Sequence, residues 1–244
     1  MSVASSSVLQ RELKYVFPNV RARTLRAWLD VGCRPDPQFA AGRISSIYFD
    51  VPGGTLLDEK INSDYLKTKV RLRWYGDWTT GLAAGSVFLE VKRRVGSSRE
   101  KYRRRLDWSA AELENTALES ARLLEIGRMV GEAGFRFSAP LFPAICIGYR
   151  RRRYVEPATG TRICLDQDIC AVRIHASLGP VVRGRPIEEG VFEVKGAAER
   201  LPETLLPMIA LGVRRQSFSK YQQCMGQRMP AAPDPGSGAR RLAS

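Results

Sequence analysis

Lys69–Tyr75 read K-V-R-L-R-W-Y and Val87–Arg94 read V-F-L-E-V-K-R-R, and these two stretches decide the fold. Successive side chains on a strand point to opposite faces, so residues two apart share one. In the first stretch Arg71 and Arg73 share a face, with Val70, Leu72 and Trp74 on the other. In the second, Glu90, Lys92 and Arg94 stand opposite Leu89, Val91 and Arg93. The charged faces hold almost only Arg, Lys and Glu, where an ordinary solvent-facing strand mixes in Thr, Ser and Gln.

The same pattern continues outward in both directions. Lys101, Arg103 and Arg105 share a face in E-K-Y-R-R-R-L, and an E-x-K unit occurs at Glu12/Lys14, Glu90/Lys92 and Glu193/Lys195. If the sheet closes, these faces line its interior while the apolar faces pack outward against helices. A lumen so positive is costly to desolvate unless a polyanion fills it. The expected architecture is therefore antiparallel α+β or a barrel.

The remaining elements fit that frame. Val20–Val31 reads as an amphipathic helix with Leu25, Trp28 and Leu29 on one side, and Ile44–Asp50 as a strand. Ser109-Ala-Ala-Glu112 is a capping box opening a helix to Gly131 or Gly134. Strands return at 144–155, 161–169 and 190–194. Helices follow at 203–211, kinked at Pro207, and at 219–225. Residues 1–8 read as a flexible arm, 9–229 as one domain, and the Pro/Gly/Ala/Ser-rich 230–244 as a disordered tail.

Composition narrows the chemistry. The 244 residues carry 39 Lys and Arg against 25 Asp and Glu, a formal charge of +14 that points to a polyanionic partner. The single histidine, His175, excludes any multi-His metal centre and reads as structural or exposed. The five cysteines (Cys33, Cys146, Cys164, Cys170 and Cys224) are odd in number and form no C-x-x-C, so they read as free thiols in a reducing compartment. There is no P-loop and no G-x-G-x-x-G fingerprint. No apolar run approaches the roughly 20 residues that cross a bilayer, and nothing resembles a secretion signal, so the expected location is cytoplasmic.

The ordered motifs resemble a known family. They are Arg11, Glu12, Lys14 and Tyr15 in R-E-L-K-Y, Ser46–Asp50 in S-I-Y-F-D, and Lys69–Arg73 in K-V-R-L-R. They continue with Phe88–Arg93 in F-L-E-V-K-R, Lys101 and Arg103, then Tyr149, Arg151 and Tyr154 in Y-x-R-x-x-Y. Arg162 and Asp166 in R-I-C-L-D, Phe192–Lys195 in F-E-V-K and Ser217–Tyr221 in S-F-S-K-Y complete the set. Together they span residues 11–221 and are similar to the VTC-type polyphosphate polymerase domain, a branch of the triphosphate tunnel metalloenzymes related to CYTH proteins.

That resemblance implies an α+β fold, a closed antiparallel β-barrel with flanking helices, forming a tunnel whose cations hold ATP, tripolyphosphate or a growing polyphosphate, with Mn²⁺ or Mg²⁺ at the substrate. By motif position the phosphate-binding set is Lys14, Arg71, Arg73, Lys92, Arg151, Arg162 and Lys220. Lys101, Arg103 and Lys195 are second-rank, and Ser219 is a hydroxyl donor. Glu193 matches the family's metal ligand, with Glu12 and Glu90 as helpers. A one-residue slip in Arg150–Arg153 leaves open which of these faces inward. The implied reaction is transfer of the ATP γ-phosphate to a phosphate or polyphosphate acceptor. The alternatives are hydrolysis in the same tunnel, a polyphosphate binder without turnover, and a nucleic-acid-binding module. The last is disfavoured because the charged faces carry few aromatics on which bases could stack. Neither a membrane span nor the sensor domain of the larger eukaryotic members is expected.

Overall fold

A computed structural model describes residues 11–62, 65–179, 183–196 and 200–227. The arm over 1–8 and the tail over 230–244 lie outside the described residues. The chain begins with β1 (Arg11–Pro18), a short 3-10 turn, α1 (Ala22–Gly32), β2 (Arg34–Pro35), β3 (Ala41–Asp50) and α2 (Thr55–Asn62). Three long strands follow, β4 (Leu66–Gly76), β5 (Ala83–Val95) and β6 (Ser98–Leu106), and then α3 (Ala110–Asn115) and α4 (Ala121–Glu132). The chain continues with β7 (Phe142–Val155), β8 (Arg162–Ile174) and β9 (Glu189–Gly196). It closes with a 3-10 helix (Glu203–Leu211), β10 (Arg214–Arg215) and α5 (Lys220–Gly226).

All ten strands form one antiparallel sheet in the order β10-β1-β9-β8-β7-β3-β4-β5-β6, with β2 attached to β7. The sheet curls, bringing Glu12 and Lys14 of β1 into the same cavity as Lys92 and Lys101 of β5 and β6. It does not close: among the described residues no ladder joins β6 to β1 or β10, which corrects the expected barrel. The two free edges explain this. Consecutive Arg103, Arg104 and Arg105 on β6 and Arg214 and Arg215 on β10 are exposed, and like charge guards a strand edge against pairing.

The convex face carries two apolar clusters under helices. Val70, Leu72 and Trp74 of β4 and Leu89 and Val91 of β5 pack with Leu113 of α3 and Leu123, Ile126 and Val130 of α4. Leu13 and Phe17 of β1, Ile163 and Leu165 of β8 and Phe192 of β9 pack with Leu25 and Leu29 of α1 and with Leu205 and Met208. Gly190 is required here, because a Cβ would stand 2.2 Å from the Phe17 ring.

The helix expected from Ser109 to Gly131 is two helices. Ser109 Oγ accepts from Glu112 N at 3.3 Å, but Thr116 turns extended after one and a half turns. The Arg173 guanidinium donates to the carbonyls of Thr116 and of Leu113, which also accepts from Thr116 N, so the break is stabilised from β8. The 203–211 segment, expected as a kinked helix, is a 3-10 helix through Pro207. No helix of the described residues is long and apolar enough to cross a membrane.

Candidate functional site

The concave face divides into two halves. One is apolar: Ile44, Ile145, Ile147, Ile169 and Val191 pack under Phe218, Tyr221, Cys224 and Met225 of α5 and the residues before it. The other is a charged cavity of about 370 Å³. Tyr48 and Tyr149 belong to both.

Strand register arranges the cations in rungs. On one wall Tyr48, Arg71, Glu90 and Arg103 lie abreast on β3, β4, β5 and β6, with Lys69, Lys92 and Lys101 on the next rung. On the other, Lys14, Glu193 and Cys164 lie abreast on β1, β9 and β8, beside a rung of Glu12, Lys195 and Arg162. Arg151 of β7 stands opposite Asp166 of β8 between the walls.

Several of these charges are matched within the protein. Arg71 donates to Glu90 Oε2 through Nε (2.7 Å) and Nη2 (2.6 Å), and Arg73 reaches the same oxygen at 3.7 Å. Arg73 also donates to Ser46 Oγ (3.3 Å) and Tyr149 OH (3.2 Å). Burial alone would raise the Glu90 pKa, but Arg71, Arg73 and Arg103 bring it down to about 2. Arg151 clamps Asp166 bidentately at 2.5 and 2.6 Å and reaches Glu193 Oε2 at 3.3 Å. Lys220 Nζ sits 2.7 Å from Asp166 Oδ2, the oxygen that Arg151 Nη2 also holds, and 4.6 Å over the Tyr149 ring. Burial opposes ionisation of Asp166 and Glu193, yet Arg151 and Lys220 hold both carboxyls below their usual values.

The β4–β5 wall is different. Burial and the neighbouring Lys14, Arg71, Lys220 and Lys92 push the Lys69 ammonium well below its usual pKa. Lys92 faces the solvent of the cavity but is enclosed by its walls, and burial together with Arg71 lowers it to about 8. No carboxylate of the described residues lies within ion-pair distance of either.

The structure brings Lys14, Arg71, Arg73, Lys92, Arg151 and Lys220 into one cavity, together with Lys101, Lys195 and Ser219. Ser219 caps α5 by accepting from Gln222 N at 3.4 Å and sets Lys220 at the first turn. In the Arg150–Arg153 run Arg151 is buried in the cavity and Arg150 and Arg152 lie over Trp78 outside it, whereas Arg153, on the same face as Arg151, donates to the Phe39 carbonyl at 3.1 Å and does not line the cavity. Arg162 is exposed at the rim and does not line the cavity. Arg103 lies on the charged face but outside the lining, over the Phe88 ring and 3.5 Å from Glu90. His175 is also remote, bonded to Ser177 at the start of a 3-10 turn.

The expected trio Glu193, Glu12 and Glu90 is not assembled, and the described residues hold no cluster of three such ligands. Glu90 belongs to the arginines. Glu12 and Glu193 do face one another closely enough to interact electrostatically, and lysines outweigh burial and that repulsion to keep Glu12 ionised. Their remaining partners are loose: Lys14 at 3.4 Å from Glu12 and 4.0 Å from Glu193, and Lys195 at 3.5 Å from Glu193. Two hard carboxylates beside a phosphate-sized cavity fit a divalent cation that draws its other ligands from substrate oxygens and water. Sequence reasoning placed Arg94 on the charged face and Lys69 and Asp166 in motifs but gave none of them a site role, and it assigned none to Lys67 or Arg99. The two-residue alternation through L-K-T-K-V-R-L-R places Lys67 and Lys69 with Arg71 and Arg73, and was a sufficient signal.

Residues 9–228 match the family model of the VTC domain. The chain belongs to the VTC domain family. Among solved structures, this VTC domain is similar to a candidate adenylyl cyclase from Hippeastrum described as having a dominant triphosphatase activity. The TM-score is 0.51 at 16% identity, covering 91% of this chain and 98% of that one. A candidate adenylate cyclase from Bacillus halodurans aligns with a TM-score of 0.50 at 13% identity, covering 85% and 92%. These likenesses show that the VTC domain shares their fold. No curated protein sequence matches it.

Proposed function

We propose that this VTC domain is a metal-dependent phosphotransferase that moves the γ-phosphoryl group of ATP onto a phosphate or polyphosphate acceptor. The observation that carries the reading is a single cavity with unmatched lysines on one wall and an ionised Glu12/Glu193 pair on the other. Phosphoryl transfer asks a protein for positioning and charge stabilisation rather than a nucleophile, so the lack of a triad is no obstacle.

In this reading Lys69, Lys92 and Lys101 draw the triphosphate onto the β4–β6 wall. Arg71 and Arg73 present forks already oriented by Glu90, Ser46 and Tyr149, and such preorganised donors stabilise charge at the equatorial oxygens without rearranging. Arg151 and Lys220, fixed by Asp166, hold the acceptor phosphate in line. The bond from the γ-phosphorus to the bridging oxygen breaks as the bond to the acceptor oxygen forms, and ADP leaves. Glu12 and Glu193 would hold Mn²⁺ or Mg²⁺, which would offset the negative charge of the phosphoryl groups. Water in the acceptor's place gives hydrolysis of ATP or tripolyphosphate. This second reading is favoured by the triphosphatase described for the Hippeastrum protein. A duplex nucleic acid finds no entry to cations set inside a cavity of this size.

The test replaces Glu193 by Lys and follows ADP release from ATP with Mn²⁺. A loss of at least 100-fold with the circular dichroism spectrum unchanged is expected. Full activity in the variant would overturn the carboxylate assignment.

A further inference from the structure

Like charges directly opposite one another on neighbouring strands destabilise a sheet. The β4–β6 wall nevertheless sets two such rungs side by side. Lys69, Lys92 and Lys101 lie abreast, and Lys67, Arg94 and Arg99 lie abreast one step nearer the β5–β6 turn. The two rungs are about 7 Å apart, the rise of two residues along a strand. All six side chains line the same cavity. Arg94 is tied to the Gly96 carbonyl by its Nε (2.7 Å), which leaves its outer nitrogens to a ligand. Neither Arg94 nor Arg99 has an ion-pair partner among the described residues.

The cavity's charge is larger than a triphosphate requires. Thirteen Lys and Arg line it against Glu12, Glu100 and Glu193. With Glu90 and Asp166 directly behind, the formal excess is eight positive charges. A tripolyphosphate brings about five negative charges near neutral pH, one from each phosphoryl group and a second from each end. A divalent cation at Glu12 and Glu193 widens the gap further.

We infer that Lys67, Arg94 and Arg99 form a second phosphate subsite at the mouth of the cavity, which takes the phosphoryl groups beyond the third of a chain seated inside. The inference rests on the reading of the cavity as a triphosphate site. A neutral nucleoside offers these cations nothing, whereas each further phosphate supplies oxygens for an arginine fork. The subsite sets chain-length preference and takes no part in bond making.

Titration calorimetry with tripolyphosphate and with long-chain polyphosphate tests it on wild type, on R94Q/R99Q, and on R21Q/R23Q, which removes the same charge from the exposed surface where the 3-10 turn meets α1. The expected result is a drop of about tenfold in long-chain affinity for R94Q/R99Q, with tripolyphosphate affinity within twofold of wild type and R21Q/R23Q unchanged for both. An equal loss for both ligands in R94Q/R99Q, no loss for either, or an equal loss in R21Q/R23Q overturns the subsite. Absence of tripolyphosphate binding to wild type would instead sink the reading of the cavity itself.

Discussion

Lys92 and Glu90 are two residues apart on β5 and share a face, yet their surroundings drive them in opposite senses. Three arginines hold Glu90 at about 2 against an ordinary 4.5. Its contribution to stability is therefore complete above about 4.5 and lost as pH falls toward 2. Urea unfolding between pH 6 and pH 3 should show a steeper loss for wild type than for Glu90→Gln. Lys92, with its pKa lowered to about 8, is charged and ready for phosphate below that value. A bound polyanion raises its pKa, so above pH 8 binding must take up a proton. Tripolyphosphate affinity should weaken as pH climbs from 8 toward 10, and Lys92→Met should flatten that part of the dependence. Asp50 is fully buried; it accepts from the backbone of Leu56 (2.9 Å) and from Tyr221 OH (2.8 Å), tying α5 to the start of α2. Tyr221→Phe leaves Asp50 one donor short and should cost about 1–3 kcal/mol by chemical denaturation, while the stack on Tyr48 persists.

At the level of elements, the strands and their inward faces were legible because a two-residue period fixes both at once. Arg71, Arg73, Glu90 and Lys92 could be placed from alternation alone. Arg162 obeys the same alternation and shares a rung with Lys195, but it lies at the end of its strand, where the cavity has already opened to solvent. Periodicity reports a face and says nothing of depth. The same limit applies to Glu90: its position beside Lys92 suggested a metal ligand, whereas its cross-strand neighbour Arg71 claims it. The break between α3 and α4 was not legible locally because the side chain that stabilises it, Arg173, is 57 residues from Thr116. Arg173→Ala should take the side-chain donor from the Thr116 carbonyl, leave the Leu113 carbonyl with only its bond from Thr116 N, and destabilise the domain by about 1–3 kcal/mol, measurable as a lower urea midpoint.

Across the whole molecule, the apolar clusters packed under helices on both faces of the sheet account for stability, and the unmatched cations of the cavity work against it until an anion arrives. A ligand that binds only the folded state stabilises it by about 2.7 kcal/mol at one hundred times its Kd. Tripolyphosphate should therefore raise the Tm by several degrees at concentrations where equal ionic strength of NaCl does little. The open edges at β6 and β10 leave the curled sheet unsealed, with exposed arginines on both. The claim on which the rest depends is transfer of the ATP γ-phosphate to a phosphate acceptor, and ³¹P NMR of the purified protein with ATP, a little pyrophosphate and Mn²⁺ tests it most directly. The account predicts an internal-phosphate signal that grows together with ADP. Orthophosphate as the sole product, or no turnover at all, would contradict it.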